Sequence, residues 1–220
     1  MADDNQQVLS LSPDETLAVL LERARALPQD RRVVIGIAGG PGTGKSTIAT
    51  ALVSALGPGA AYVPMDGFHM LHAKLIALGT VRDKGAPHTF EASKFAEFLA
   101  TLRDTAGPVW GPGYSREIED VVQNAFVISP EARILVTEGN YLLLSTAPWS
   151  QVKPLLDLAI FIDVPRDKVR ERLLRRHAEH GLFTEERNRE HVERVDLGNY
   201  DLIQRSRPRA DIVIDLVTDR

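Results

Sequence analysis

Residues 39–46 read Gly39-Gly40-Pro41-Gly42-Thr43-Gly44-Lys45-Ser46, a full match to the pattern G-x-x-x-x-G-K-[ST]. The apolar run Val33-Val34-Ile35-Gly36-Ile37-Ala38 precedes it and reads as a buried strand. Thr47-Ile48-Ala49-Thr50-Ala51-Leu52-Val53 follows and reads as a helix. Strand, glycine turn and helix in that order turn backbone N–H groups inward and aim the positive end of a helix at one point. In this pattern Lys45 reaches the β- and γ-phosphates of a nucleoside triphosphate and Ser46 ligates Mg²⁺. A plain strand–turn–helix corner needs neither four glycines nor a lysine and serine in fixed register. The chain is thereby confined to folds that end a strand at a phosphate cradle, with every residue from Gly39 to Thr47 a nucleotide contact.

The rest of the sequence must supply the sheet and the second substrate. At 220 residues the chain fits one sizeable α/β domain. Its 26 basic and 30 acidic residues leave a net charge of −4, so any phosphate affinity is local and no nucleic-acid surface is expected. The absence of cysteine excludes disulfides, thiolate metal sites and a cysteine nucleophile. No apolar run approaches the roughly 18 residues of a membrane span. The polar, acidic start Met1-Ala2-Asp3-Asp4-Asn5-Gln6-Gln7 is unlike a signal peptide, so a cytoplasmic protein is expected.

Ser12-Pro13-Asp14-Glu15 carries an N-cap, a first-turn proline and a capping box, which predicts a helix over 12–28. After the phosphate loop, strands are predicted at Ala61-Tyr62-Val63-Pro64-Met65, Ile134-Leu135-Val136-Thr137, Leu158-Ala159-Ile160-Phe161-Ile162 and Ile212-Val213-Ile214-Asp215-Leu216. Helices are predicted over 93–103 and 166–180. Continuous apolar strands alternating with helices predict a doubly wound, mainly parallel five-stranded sheet with helices on both faces. Such sheets bind ligands at the carboxyl ends of their strands. Roughly 65 residues separate the second and third strands, far more than a crossover needs. The insertion over 67–133 is either an acceptor-binding region or a decorated edge. It contains a predicted hairpin, 117–122 against 125–129 about Gln123-Asn124.

Asp66 follows the second strand and so faces the same crevice as the phosphate loop. A carboxylate there accepts a hydroxyl proton during phosphoryl transfer, ligates magnesium-bound water, or caps the turn before Gly67. Glu138 ends the third strand. It serves the magnesium shell, the acceptor's hydroxyls, or structure alone. Arg166, Arg170, Arg172, Arg175 and Arg176 crowd one helix, and three of them share a face. With the polar stretch that follows, 172–194 reads as a lid over phosphates or as a solvated face. His69/His72 and His177/His180 have no carboxylate at metal-site spacing, so no histidine-bound metal is expected.

With these residues in view, the chain resembles the uridine kinase, phosphoribulokinase and bacterial pantothenate kinase superfamily across roughly 33–217. The likeness rests on residues 39–46, Met65-Asp66-Gly67-Phe68-His69, Tyr114-Ser115-Arg116, Thr137-Glu138-Gly139-Asn140-Tyr141 and Arg172-Leu173-Leu174-Arg175-Arg176. Lys84-Gly85-Ala86-Pro87-His88-Thr89-Phe90-Glu91 and His180-Gly181-Leu182 are similar to segments of a bacterial nucleoside/nucleotide kinase-like sub-group, some of whose members are labelled fructose transport system kinases. The resemblance implies a single P-loop NTPase kinase domain over 1–220, with a substrate-binding insertion and a lid. It implies ATP and Mg²⁺ as cofactors, Asp66 as general base, Lys45 and Ser46 on ATP and magnesium, and Glu138 in the Walker B position. Arg172 and Arg176 would belong to the lid, with His69, His88, Tyr114 and Arg116 as acceptor contacts. The implied partner is a small-molecule hydroxyl acceptor such as a sugar, nucleoside or pantothenate-like alcohol, and a homodimer is allowed. Segments 80–92 and 111–118 differ from uridine, ribulose phosphate and pantothenate binders, so the acceptor's identity is not implied. A P-loop ATPase switch or a nucleotide-binding module is the competing reading. Against a guanine-nucleotide switch, no Asn-Lys-x-Asp segment occurs.

Overall fold

The computed structural model describes residues 6–180 and 184–217. The polar start at 1–5 and Gly181-Leu182 of the resemblance lie outside the described residues. The chain begins with β1 (Gln7–Leu11) and α1 (Pro13–Arg25). Ser12 caps α1 through the Glu15 amide, and Glu15 Oε2 accepts from the Ser12 amide at 2.8 Å, completing the expected capping box. β2 (Val33–Gly39) then runs into the phosphate loop and α2 (Lys45–Leu56). β3 (Ala60–Pro64) returns to the sheet. The insertion holds α3 (His72–Leu78), α4 (Ala92–Asp104), β4 (Val109–Ser115) and β5 (Asp120–Ile128). β6 (Ile134–Gly139), β7 (Leu158–Asp163) and α5 (Arg166–His180) follow. α6 (Glu185–His191), α7 (Leu197–Gln204) and β8 (Ile212–Leu216) complete the described chain.

Among the described residues the main sheet has six strands in the order β1-β8-β7-β2-β6-β3, every pair parallel. The five-stranded expectation is corrected by β1, which pairs with β8 from Gln7↔Ile212 to Leu11↔Leu216. As an edge strand it has one neighbour and leaves Val8 50% exposed, so it lacks the continuous apolar signature of the inner strands. β2 is buried along its whole length because alternate residues enter opposite layers. Val34 and Ala38 join a core with Phe95, Leu99 and Trp149. Val33, Ile35 and Ile37 join one with Leu20, Leu52 and Leu173.

The hairpin also departs from expectation. β4 and β5 pair antiparallel across a turn at 116–119, where Glu119 has φ 51°. Gln123-Asn124 is not the turn but lies inside β5. Gly111 pairs with Phe126 and Gly113 with Val122, so residues 123–125 bulge opposite Pro112, with Asn124 at φ 52°. Asparagine tolerates the left-handed region in bulges as well as in turns, which is why its signal misplaced the loop.

The N-terminal end of β2 is anchored by Arg32, only 5% exposed. Its guanidinium donates to the carbonyls of Leu102 (2.9 Å), Thr105 (2.7 Å), Ser129 (2.9 Å) and Ala132 (3.1 Å). One side chain thus ties the phosphate-loop strand to the end of α4 and to the β5–β6 connection. Arg32→Met keeps much of the bulk but leaves four carbonyls without this donor. It is expected to lower unfolding stability by about 3 kcal/mol, read from chemical denaturation at unchanged slope.

Candidate active site

The phosphate loop takes the shape its glycines permit. Gly42 and Gly44 adopt φ of 77° and 88°, conformations that side chains rarely tolerate. Thr43 is buried and its hydroxyl donates to the Gly40 carbonyl at 2.9 Å, closing the loop from inside. No side-chain hydrogen bond caps the start of α2, which leaves its first amides for a ligand. Lys45 Nζ lies 3.4 Å from the Gly40 carbonyl and 4.0 Å from Glu138 Oε2.

Glu138 arrives beside this loop by strand pairing, opposite Ile37 of β2 and Pro64 of β3. At 4% exposure its carboxylate is held by the Ser46 hydroxyl (3.0 Å, to Oε2) and the Tyr62 hydroxyl (2.8 Å, to Oε1). Burial pushes the Glu138 carboxyl up, against the pull of Lys45, and pushes the Lys45 ammonium down, against Glu138 and Asp66. Burial and the neighbouring Glu138 push the Tyr62 phenol up, keeping it a donor. Tyr62 was not singled out in the sequence. Its signal is positional, since an edge strand that carries a tyrosine two residues before its end sets a hydroxyl beside its neighbour's terminus.

Asp66 sits in the short turn Met65–Phe68 after β3. It lines the same cavity as Lys45, Glu138 and His69. His69 closes the turn through its ring Nδ1, 2.8 Å from the Asp66 carbonyl. The imidazole packs between Phe90 (centroids 3.9 Å apart) and Tyr114 (4.7 Å), and burial lowers its basicity. Lys84 Nζ stands 5.3 Å over the Tyr114 ring. Arg116, at the hairpin turn, raises the positive potential at Lys45 and Arg176. The hairpin meets the Asp66 turn backbone to backbone, for a Cβ on Gly67 would lie 1.9 Å from the Pro112 carbonyl oxygen.

These groups share a cavity of about 1140 Å³. Lys45, Ser46 and Glu138 lie at one end, and His69, Phe90 and Tyr114 wall another part of it. Arg176 lines it from α5, while Arg172 turns back to donate to the Gly42 carbonyl at 3.3 Å. His88 is not brought in. The turn Pro87–Thr89 is fastened by Thr89, whose hydroxyl donates to the Ala86 carbonyl and accepts from Gly85. This leaves His88 more than half exposed, 3.6 Å from Asp83. The polar stretch after α5 is not a wholly solvated face, since Val192 is fully buried and packs in the core layer with Val169 and Leu173. The structure also assembles a cluster that the histidine spacing concealed: His177, His191 and Asp196 converge along the cavity wall.

A phosphate cradle sharing one cavity with aromatic side chains of an insertion is the arrangement expected of a P-loop small-molecule kinase. The chain belongs to the Phosphoribulokinase / Uridine kinase family, whose model matches residues 34–220. It is 34% identical over 199 residues to a Schizosaccharomyces pombe protein provisionally named a uridine kinase, covering 86% of this chain and 85% of that one. It is 31% identical over 142 residues to a pantothenate kinase of Latilactobacillus sakei, covering 62% and 46%. A crystal structure from Silicibacter, provisionally named a fructose transport system kinase, superposes with a TM-score of 0.81 at 32% identity over 93% of this chain and 99% of that one. The protein is an ATP-dependent phosphotransferase acting on a small-molecule alcohol. Among the described residues no helix is long and apolar enough to cross a membrane.

Because the Asp66 turn and β4 touch at Gly67, Gly67→Ala is expected to displace one from the other. The expected result is a fall in kcat of about a hundredfold with nucleotide affinity nearly unchanged, measured by steady-state kinetics and nucleotide titration on a variant whose melting curve stays cooperative.

Proposed function

We propose that the protein moves the γ-phosphoryl group of ATP to a hydroxyl of a small metabolite seated between His69, Tyr114 and Arg116, with Asp66 accepting the hydroxyl proton. The observation that carries this reading is that Asp66, Lys45, Ser46, Glu138, Tyr114 and Arg116 all line one cavity. The amides and Lys45 of residues 39–47 hold the nucleotide's phosphates, and Arg176 adds charge from the opposite wall. The donor set suits magnesium: a nearly buried carboxylate and a serine hydroxyl are hard oxygen ligands, and a divalent cation offsets the cost of burying Glu138. Bound there, the ion would neutralise charge on the transferring phosphoryl oxygens.

Asp66 is then free of metal duty and serves the acceptor. Phosphoryl transfer has a loose transition state, so the chain's own contribution is alignment and a late proton acceptor. His69, fixed between two rings and bonded to the Asp66 carbonyl, holds the turn that carries that carboxylate. Relatives that bear the names uridine kinase and pantothenate kinase favour nucleoside-like or pantothenate-like acceptors. The lid is assigned to residues 172–194, of which 172–180 and 184–194 are described, with Val192 packed in the core layer. The reaction belongs in the cytoplasm, where ATP and magnesium are supplied.

Asp66→Asn keeps shape but removes the proton acceptor. It is expected to lower kcat by about 10²–10⁴-fold with ATP affinity within a few-fold, whereas a magnesium ligand at this position would weaken Mg²⁺–ATP binding and respond to added Mg²⁺. An ADP-release screen over sugars, nucleosides and vitamin precursors supplies the acceptor. Acceptor-independent turnover across the whole panel would overturn the kinase reading. Once the acceptor is known, Tyr114→Ala and Arg116→Ala are expected to raise its KM roughly tenfold or more while the KM for ATP moves little.

A further inference from the structure

Three side chains on the cavity wall have no task in phosphoryl transfer. His177 lies near the end of α5, His191 is the last residue of α6, and Asp196 ends the turn Val192–Asp196 that leads into α7. His177 Nε2 is 3.0 Å from Asp196 Oδ2, and the two imidazole rings meet edge to face with centroids 5.4 Å apart. One nitrogen from each histidine and one Asp196 oxygen lie within 4.8 Å of one another, the one such group among the described residues.

The backbone is shaped to make this meeting. His191 and Asp196 are five residues apart, which on a regular α-helix sets side chains about 140° from each other. Val192–Asp196 is instead a π-helical turn. Its i→i+5 pattern carries the sixth residue back over the first and brings Asp196 onto the face of His191. Such turns are rare, and they occur frequently at functional sites. Here Val192 and Val195 are buried on the inner side and seat the turn, so its outer side is set by packing. Asn188, also buried, donates to the His177 carbonyl at 3.4 Å and holds α5 against α6.

We infer that His177, His191 and Asp196 form a second cation site, selective for a zinc-like divalent transition metal, that clamps α5 to the α6–α7 arm. Two imidazoles and one carboxylate suit zinc, cobalt or nickel, whereas magnesium prefers oxygen alone. Ligand atoms of a tetrahedral ion with bonds of about 2.0–2.1 Å stand about 3.4 Å apart, so closing the triangle takes movements on the order of 1 Å. All three residues line the cavity, which leaves the fourth position facing it, open to water or to an oxygen of a bound ligand. The site is separate from the oxygen pair of Ser46 and Glu138. Fixing His177 also fixes the helical turn that presents Arg172 and Arg176, so the metal acts as a positioning element for the lid.

The test uses the untagged full chain, stripped with chelator and held in excess Mg²⁺, and it reads metal binding without any turnover. Titration with Co²⁺ is expected to give one equivalent of visible absorption, which Zn²⁺ displaces and Mg²⁺ does not. His191→Gln and Asp196→Asn are each expected to weaken Co²⁺ binding at least tenfold, with His88→Gln unchanged. Should Asp196→Asn fail to fold through loss of the His177 pair, His191→Gln decides alone, with its metal-free melting temperature confirming the fold. No stoichiometric Co²⁺ band, a band abolished by Mg²⁺, or affinity untouched by His191→Gln would overturn the site and leave His177–Asp196 a simple ion pair.

Discussion

Glu138 stands between Ile37 and Pro64 in the parallel sheet, so the backbone ladder itself delivers a carboxylate beside the phosphate loop. Burying that charge is costly unless partners meet it. The partners come from two places: Ser46 and Lys45 from the start of α2, and the Tyr62 hydroxyl from the neighbouring strand. Each is positioned by an element that would exist without the site. Parallel strands ending at one level make this economical, since a single register sets the distance between loop, carboxylate and the Asp66 turn. Arg32 matters for the same reason, because it fixes the far end of the strand from which that register is counted.

The reading from sequence was strongest where local chemistry leaves few choices. The glycines of the phosphate loop, the capping box at Ser12 and the continuous apolar strands each determine their structure within a few residues. It was weakest where a residue's role depends on distant partners. β1 is a strand only because β8 offers it an edge. Asn124 carries a turn signal that the bulge opposite Pro112 uses instead. The site divides along the same line. Lys45, Ser46 and Glu138 were legible from motif and strand end. Tyr62 and the His177–His191–Asp196 group were not, since the latter depends on a π-helical turn whose register departs from any regular helical spacing. His88 sat inside a suggestive segment but is turned outward by the bonding of Thr89.

The cavity therefore has walls of different character. The nucleotide end is a rigid cradle made of main chain and buried charge. Another part is made of side chains on the insertion, in tilted ring contacts from Phe90 through His69 to Tyr114. The third wall, α5 to α7, lines the cavity with Arg176, Arg187 and Arg194 beside Glu186, Glu190 and Asp196, and is packed onto the core through Val169, Leu173 and Val192. Apolar packing beneath and polar groups above let this wall carry Arg176 into the cavity lining while remaining part of the fold.

The crossing of Gly67 beneath the Pro112 carbonyl has a consequence for how such a scaffold diversifies. No side chain fits between the two backbones, so the hairpin cannot be reshaped at that crossing without dragging the Asp66 turn along. Beyond it, Arg116 and Glu119 line the cavity from the tip of the hairpin, where a changed side chain alters the outline of the wall. A lineage exchanging one alcohol for another would rewrite the tip of the hairpin and keep its base, inheriting the chemistry whole while trading the substrate.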